Sequence, residues 1–436
     1  MQHRLPLAQL QDDVGAFAEP MAEAVSRCVH CGFCLADCPT YRVTGEEAES
    51  PRGRIFLMKE ALEGSLEVEA AARHVDGCLG CLACVTSCPS GVEYGELMVP
   101  FRAWSSERRA TQRGFSLERL QRRAMLATLT VPSRLRWALR LGRLAKPLRS
   151  LLPASLRTPL ELLPTRTPHR NEPIPSLQGE RRARVGLLRG CAQSLLEPAI
   201  NAATKAVYAR NGIEVIEPEE QGCCGALDLH AGELEAARRR AAPTVFAFAR
   251  RLESGDIDAV VTTAAGCGSA IHEYPLLFGG TDLEAPARAV AAAAVDCTTF
   301  LAGLGMTESL TVKPGRRVAV HDACHLGHAQ RETAAPRTLL RAVEGIELVE
   351  PGEAAVCCGS AGIYNLEHPE MAAELGRRKC AALEATGAEW IATGNIGCLT
   401  QIRHHLTAEE VAPRVLHTLQ ILEVASPSST TARRPT

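Results

Sequence analysis

Several features that mark other classes of protein are scarce or missing in this chain of 436 residues. Aromatic residues make up only 4%, so we expect cores of Ala, Leu and Val. No stretch approaches the roughly 18 consecutive apolar residues of a membrane span, and the N-terminal segment lacks the apolar region of a secretory signal. The net charge of −2 gives no general reason to expect a nucleic-acid partner. We therefore expect a cytoplasmic protein of two or three domains.

Cysteine, in contrast, is abundant, with 18 residues in the chain. Eight of them form two runs with the spacing C-x2-C-x2-C-x3-C-P: Cys28, Cys31, Cys34 and Cys38 before Pro39, and Cys78, Cys81, Cys84 and Cys88 before Pro89. In ferredoxins with this spacing, the fourth cysteine of each run ligates the other of two 4Fe–4S clusters. The spacing therefore predicts one cluster on Cys28, Cys31, Cys34 and Cys88, and a second on Cys78, Cys81, Cys84 and Cys38.

Other interpretations of these runs are weaker. A disulfide framework is typical of small secreted domains, and structural zinc sites usually take paired C-x2-C knuckles without a third cysteine at this spacing. Inert buried thiols would need the same spacing to arise twice by chance. Two neighbouring clusters transfer single electrons, so electron transfer is the first hypothesis for the function.

The segments around the runs indicate how the first part of the chain folds. The stretch from Ser50 to Gly64 begins with Ser-Pro, has apolar residues at helical spacing and ends at glycine, which predicts a helix between the runs. We expect residues 1–100 to form an α-helical ferredoxin domain. No G-x-G-x-x-G after a strand and no P-loop occurs in the sequence, so no nucleotide fingerprint is present.

Residues 101–182 are predicted to connect two halves of the protein. Residues 101–149 hold twelve Arg and one Lys against two Glu, with Leu, Met and Trp at helical spacing. One interpretation is a helix that lies on anionic lipid, peripheral on the inner face of the plasma membrane. The other is a helix packed on this protein or on an acidic partner subunit, and both stay open. The prolines of residues 150–182 predict a linker.

Residues 183–425 contain one unit twice, with a first copy over 183–310 and a second over 311–425. Equivalent cysteines of the two copies are separated by 133, 134 and 131 residues, and such constant offsets indicate duplication. Short apolar strands alternate with helices, which predicts α/β units with parallel sheets. Residues 426–436 are expected to be a disordered tail. The cysteines of the first copy are Cys191, Cys223, Cys224 and Cys267, and those of the second are Cys324, Cys357, Cys358 and Cys398.

Because each of these cysteines follows a predicted strand, we expect them to gather at the carboxyl ends of the sheets. The pattern resembles the CCG domain, named for its Cys-Cys-Gly signature and found in heterodisulfide reductase subunits. The heterodisulfide reductase form ends in C-x-x-C and binds non-cubane iron–sulfur clusters. Here the last cysteine is missing from both copies, which puts those clusters in doubt. Three roles stay open: a cluster or zinc site, a redox or acceptor site without metal, and structure alone.

Histidines next to Cys324 could add ligands to such a site. His321, Asp322 and His325 surround this cysteine, and a role as ligand or in proton transfer competes with the commoner outcome, a histidine held by backbone groups. Cys297 and Cys380 lie outside both patterns, and Cys380, which stands in a helical run, is predicted to be an ordinary buried thiol.

The whole order of segments resembles the iron–sulfur subunit family of bacterial glycolate oxidases. The matching stretches include CVHCGFCLADCPTY, GCCGALDLH, CCGSAGIYNLEHPE and ATGNIGCLTQI. The resemblance implies that FAD-binding subunits oxidise glycolate to glyoxylate, and that this chain passes the electrons toward a quinone or another membrane acceptor. It implies no substrate-oxidising site here. A lactate-oxidising or heterodisulfide-reductase-like complex is the alternative, and a structural scaffold role for the CCG half is a third hypothesis.

Overall fold

The computed structural model describes residues 5, 7–113, 117–147, 160, 175–406 and 412–427. Its N-terminal part is helical, with short 3-10 turns at Gly15–Phe17, Phe33–Leu35 and Glu47–Glu49. The helices are α1 (Leu7–Val14), α2 (Ala18–Arg27), α3 (Pro39–Thr44), α4 (Pro51–Leu62), α5 (Val68–Asp76), α6 (Ala83–Thr86), α7 (Tyr94–Arg113), α8 (Leu117–Leu129) and α9 (Pro132–Ala145).

Helix α4 shows how the sequence defines these elements. The hydroxyl of Ser50 accepts a hydrogen bond from the backbone N–H of Gly53 at 2.9 Å, which satisfies a donor that the first helical turn leaves free. Pro51 stands in the first turn, where its missing N–H costs nothing. Ile55 and Met58 lie on the buried side and join the core of the N-terminal domain. The helix expected between the runs is present.

The C-terminal part is an α/β structure. Its strands are β1 (Ala183–Leu187), β2 (Ile213–Ile216), β3 (Ala259–Thr262), β4 (Ala294–Asp296), β5 (Leu310–His321), β6 (Val343–Val349), β7 (Trp390–Thr393), β8 (Arg414–Leu416) and β9 (Ser426–Pro427). Its helices are α10 (Gln193–Leu196), α11 (Ala199–Arg210), α12 (Ala226–His230), α13 (Leu234–Glu253), α14 (Ala265–His272), α15 (Tyr274–Leu277), α16 (Glu284–Ala293), α17 (Cys297–Leu304), α18 (Ala334–Arg341), α19 (Tyr364–Glu367), α20 (Pro369–Glu384), α21 (Ile396–His405) and α22 (Thr418–Val424), with a π-turn at His325–Ala329.

The strands form two sheets with matching topology. The first has the order β2-β1-β3-β4 and the second β6-β5-β7-β8, and neighbouring strands within each of these orders are parallel. Apolar residues fill the central strands: β3 and β7 are buried along their whole length, as expected for sheets covered by helices on both faces. The predicted fold class, a helical ferredoxin domain followed by a duplicated α/β unit, is confirmed.

The end of the second unit differs from a simple repeat. Strand β9 pairs antiparallel with β5, so the segment expected as a tail begins with two residues of regular structure. Residues 428–436 and most of the proline-rich linker, including Pro153, Pro159, Pro164, Pro168 and Pro173, lie outside the described residues.

Helices α8 and α9 of the basic connector lie against the α/β part. Leu126 of α8 is buried, and Arg122 and Arg123 form ion pairs with Glu367 and Glu233 at 3.0 and 2.9 Å. At least one side of the connector therefore packs on this protein. Among the described helices, none combines the length and the hydropathy needed to cross a bilayer.

Candidate iron–sulfur and cysteine centres

The two cysteine runs fold into loops with the same backbone conformation. His30 and Gly80, the residues before the second cysteine of each run, have φ of 55° and 65°. Gly32 and Leu82, the residues after it, have φ of 85° and 63°. A left-handed backbone is unfavourable for a residue with a side chain. The conformation of His30 and Leu82 is therefore imposed by the surrounding structure and not by the preference of these residues.

The cysteines of these loops line two cavities. One is lined by Cys28, Cys31, Cys34 and Cys88, and also by Cys84. The other is lined by Cys38, Cys78, Cys81 and Cys84. The second cavity thus meets three cysteines of one run and the fourth cysteine of the other, and the first cavity contains the corresponding set together with Cys84. No carboxylate is among the lining residues, so each set of four thiols suits a 4Fe–4S cluster.

The pKa values of these thiols depend on burial. Burial raises the pKa of Cys34 to about 11, and it raises the pKa of Cys81 and Cys84 well above the usual value. Thiolates are the ligands of iron, so in the protein without metal these groups stay protonated, and iron bound by them would displace their protons. Backbone N–H groups already point at sulfur: Gly80 donates to Cys78 Sγ at 3.4 Å.

Arg54 supplies a positive charge next to the second cavity. Its side chain is only 1% exposed, and its guanidinium donates to Thr40 Oγ1 at 3.0 Å, to the carbonyl of His74 at 2.7 Å and to the Glu49 carboxylate. One guanidinium nitrogen lies 4.0 Å from Cys38 Sγ. A buried arginine here would compensate the negative charge of thiolates that hold a cluster in this cavity.

The first CCG unit brings its four cysteines together at the carboxyl ends of β1, β2 and β3. Cys223 Sγ lies 3.3 Å from Cys191 Sγ, and Cys224 Sγ lies 3.1 Å from Cys267 Sγ. The four residues therefore form one cluster of thiols, as the strand order predicts.

The second CCG unit repeats this pairing and adds a histidine. The thiols of Cys324 and Cys357 are hydrogen-bonded to each other, as are those of Cys358 and Cys398, and all four cysteines are free. One ligand atom each of His321, Cys358 and Cys398 lies within 4.8 Å of the others. His321 is 2% exposed, and within the described part of the chain neither of its ring nitrogens has a hydrogen-bond partner.

The expectation that a histidine here is held by backbone groups is therefore wrong for His321, because neither of its nitrogens is bonded. It holds for His325, whose Nε2 lies 3.0 Å from the carbonyl oxygen of Gly80. Asp322 pairs with Arg337 at 2.8 Å. Burial keeps the pKa of His321 well below its usual value, so its ring is neutral, the form that binds metal. In the first unit the equivalent position is Leu188.

The glycine of the Cys-Cys-Gly signature has a steric origin. Gly359 has φ +86°, and a β-carbon there would lie 2.5 Å from the carbonyl oxygen of Ala372 on α20. Gly225 has φ +80°, and a β-carbon would lie 2.9 Å from the carbonyl oxygen of Ala237 on α13. In both units a helix backbone packs against the turn that carries the cysteine pair, and only glycine fits this contact.

The ferredoxin domain meets the second CCG unit directly. Cys81, Cys357 and Tyr364 belong to one buried cluster, against which Cys324 packs. The Tyr364 hydroxyl donates to the carbonyl of Gly77 at 3.2 Å. The loop of the second cysteine run is thus fixed against the cysteines of the second unit.

Two arginines near the cysteine loops escaped the sequence analysis. Arg102 belongs to the basic stretch, yet it is 7% exposed and donates to the carbonyls of Cys78, Val75 and His230 at 2.6, 2.8 and 2.8 Å. No sequence signal separates it from the solvated arginines around it. Arg54 could have been found, because it shares a helical stripe with Met58 and Ala61.

Comparison with known proteins agrees with this arrangement. Residues 24–92 match the family model of the 4Fe-4S dicluster domain, and residues 185–272 and 318–403 match that of the Cysteine-rich domain CCG. The glycolate oxidase iron-sulfur subunit of Escherichia coli (strain K12) is 37% identical over 407 residues, which cover 93% of this chain and 95% of that protein. The chain belongs to the family of glycolate oxidase iron–sulfur subunits.

Further relatives place this family in a wider group. The probable glycolate oxidase iron-sulfur subunit of Bacillus subtilis (strain 168) is 34% identical over 94% of this chain and 95% of its own length. Lactate utilization protein A of Shouchella clausii (strain KSM-K16) is 29% identical over 55% of this chain and 98% of its own length. The predicted family, the two 4Fe–4S clusters and the CCG duplication are confirmed, and the chain is an iron–sulfur component of an oxidoreductase.

Proposed function

We propose that this chain is the electron-transfer subunit of a glycolate-oxidising complex. FAD-binding subunits would oxidise glycolate to glyoxylate with release of two electrons and two protons, and a quinone-type acceptor at the membrane would take them up. The 4Fe–4S clusters, when bound, supply one-electron transfer. This chain would position and tune the cofactors, and would oxidise no substrate itself.

The observation that carries this proposal is the continuity of the cysteine sites. Cys31 is exposed at the first cavity, the second cavity shares Cys84 with the first, and Cys81 packs with Cys357 of the second CCG unit. A series of redox-active groups that begins at the surface and continues through the domain interface suits a relay.

The experiment uses the complex purified anaerobically with its flavin subunits. We expect addition of glycolate to reduce the clusters, seen as bleaching of their visible absorption and as a paramagnetic resonance signal. Reduced flavin beside clusters that stay oxidised would contradict the proposal.

Within this function we propose the crossed wiring of the clusters, with Cys38 on the cluster of the second run and Cys88 on that of the first. The cavity linings support this assignment. Cys38→Ser should damage the second-run cluster selectively, and Cys88→Ser, its matched counterpart, the first-run cluster. Paramagnetic resonance that finds the opposite selectivity would refute the crossed wiring.

For the CCG half we propose a metal centre in the second unit, with His321, Cys358 and Cys398 among its ligands. The unpartnered buried imidazole supports this, since a buried polar group without a partner is costly. The wild-type protein should then contain zinc, or more than the roughly eight irons of two cubane clusters. His321→Leu, which copies Leu188 of the first unit, should remove the excess metal, whereas Cys380→Ser, a buried thiol elsewhere, should retain it. Equal metal content in wild type and His321→Leu would refute the assignment.

A structural scaffold role for the CCG half makes a different prediction. If the pair Cys357 and Cys358 serves only packing, then replacing both with serine leaves electron transfer at the wild-type rate. We expect instead a loss of transfer to the acceptor while glycolate still reduces the ferredoxin clusters.

Lactate oxidation is the second candidate function. The similarity to Lactate utilization protein A favours it, and substrate choice would reside on the partner subunits. Comparing glycolate with lactate as reductant of the purified complex distinguishes the two.

A further inference from the structure

Helix α9 has two apolar sides, and within the described part of the chain only one of them is covered. Leu135 and Leu139 are buried against the rest of the protein. On the other side, Trp137 and Leu141 are each 62% exposed and Leu144 is 76% exposed. At about 100° per residue these three side chains project within an arc of about 60°. We call them the α9 apolar face.

Positive charge borders this face. Arg134 and Arg140 lie on its two flanks, and residues 132–147 contain no Asp or Glu. Within the described residues, neither of the two arginines has a carboxylate partner, and the guanidinium carbon of Arg140 lies 5.2 Å from the centre of the Trp137 ring. A basic helix with Trp and Leu on its outer side is typical of segments that lie in the membrane interface, where Trp is enriched and arginine stems extend toward headgroups.

We propose that the α9 apolar face inserts into the surface of an anionic lipid bilayer. The charges favour lipid, because Arg134 and Arg140, which have no carboxylate partner among the described residues, complement anionic headgroups on both flanks. The shape of this surface also favours lipid. The three exposed side chains protrude from the helix, and a fluid bilayer can adapt to protruding side chains. The inference deepens the proposed function, because a quinone-type acceptor dissolves in lipid.

Lipid binding can be measured without turnover, so this inference and the proposed function fail separately. The full-length, cluster-loaded protein is mixed with vesicles of phosphatidylglycerol and phosphatidylethanolamine, or of phosphatidylcholine alone, and the bound fraction is measured by flotation. Of the three tryptophans in the chain, Trp104 and Trp390 are buried. Iodide quenching therefore reports chiefly on Trp137, and we expect protection in the presence of anionic vesicles.

Variants identify the contact. The triple variant Trp137→Ser, Leu141→Ser, Leu144→Ser should lower the partition into anionic vesicles by about tenfold or more. Phe246→Ser, which changes a side chain that is 53% exposed on α13, should leave it unchanged. Removal of one flanking charge by Arg134→Gln should lower the partition about fivefold. Retained visible absorption of the clusters establishes that the variants are folded.

Three results would overturn the inference. They are no binding of the wild type to anionic vesicles, equal binding of the triple variant, and binding to phosphatidylcholine as strong as to the anionic mixture. If the triple variant keeps lipid binding but loses its flavin subunits on purification, the α9 apolar face is a protein interface, and the inference is equally refuted.

Discussion

Replacing Arg54 with methionine tests whether a buried charge supports the second cavity. Arg54 is 1% exposed and Glu49 is 20% exposed in their ion pair, and the pair continues to His74, whose Nδ1 lies 2.6 Å from the carboxylate. The substitution leaves Glu49 and the hydroxyl of Thr40 without their cation. Removing one partner of a buried pair costs about 3–5 kcal/mol, which at about 2 °C per kcal/mol for a chain of this size lowers the Tm by about 6–10 °C.

Arg52, two residues away on the same helix, provides the matched control. It pairs with Glu47 at 2.7 Å and donates to the carbonyl oxygen of His30 at 3.1 Å. The paired side chains are 29% and 50% exposed, so solvent screens the ion pair, and the loss of both contacts costs about 1–2 kcal/mol. Because cluster loss makes unfolding irreversible, both variants are compared by circular dichroism at one scan rate under anaerobic conditions. Equal melting of Arg54→Met and Arg52→Met would refute the argument from burial.

Two further predictions concern stability in the α/β half of the protein. Burial holds the pKa of His417 at about 4 in the folded protein, whereas in the unfolded chain the ring takes up a proton near pH 6.5. The unfolded state therefore binds more protons, and the free energy of unfolding falls by about 2 kcal/mol between pH 7 and pH 5. His417→Asn, which can still cap α22, should flatten the dependence of Tm on pH, whereas an unchanged slope, or the same flattening in His404→Asn, would contradict this. Gly359→Ala should cost about 2–4 kcal/mol because of its left-handed φ and the contact with Ala372. Gly352→Ala, with nothing within 4 Å, should be nearly neutral, and similar Tm values for both would refute the steric argument.

The sequence predicted those parts of the protein that depend on local pattern. The spacing of the cysteines within each run and the cap at Ser50 depend on residues that are close together in the sequence. The constant offsets between equivalent cysteines are a repeat, which is also visible in the sequence alone. The burial of Arg102 was not predictable, because it results from the docking of α7 against Cys78 and His230, which are far away in sequence. The lack of a hydrogen-bond partner for the ring of His321 was not predictable either, because it depends on which residues surround the ring in the folded core.

The duplicated halves share topology but differ in their surroundings. In the second unit Cys324 and Cys357 adjoin Cys81 of the ferredoxin domain, and this same unit carries His321 where the first has Leu188. The unit that carries His321 is thus also the unit whose cysteines contact the second cysteine run. Duplication followed by specialisation of one copy explains this difference more simply than two copies with equivalent centres. A stable protein could keep a buried imidazole without a hydrogen bond only at a cost of about 1–3 kcal/mol, and a ligated metal would remove that cost. We therefore expect the two units to differ in metal content. The second unit, which carries His321 and lies next to the iron–sulfur clusters, is the one expected to bind the metal.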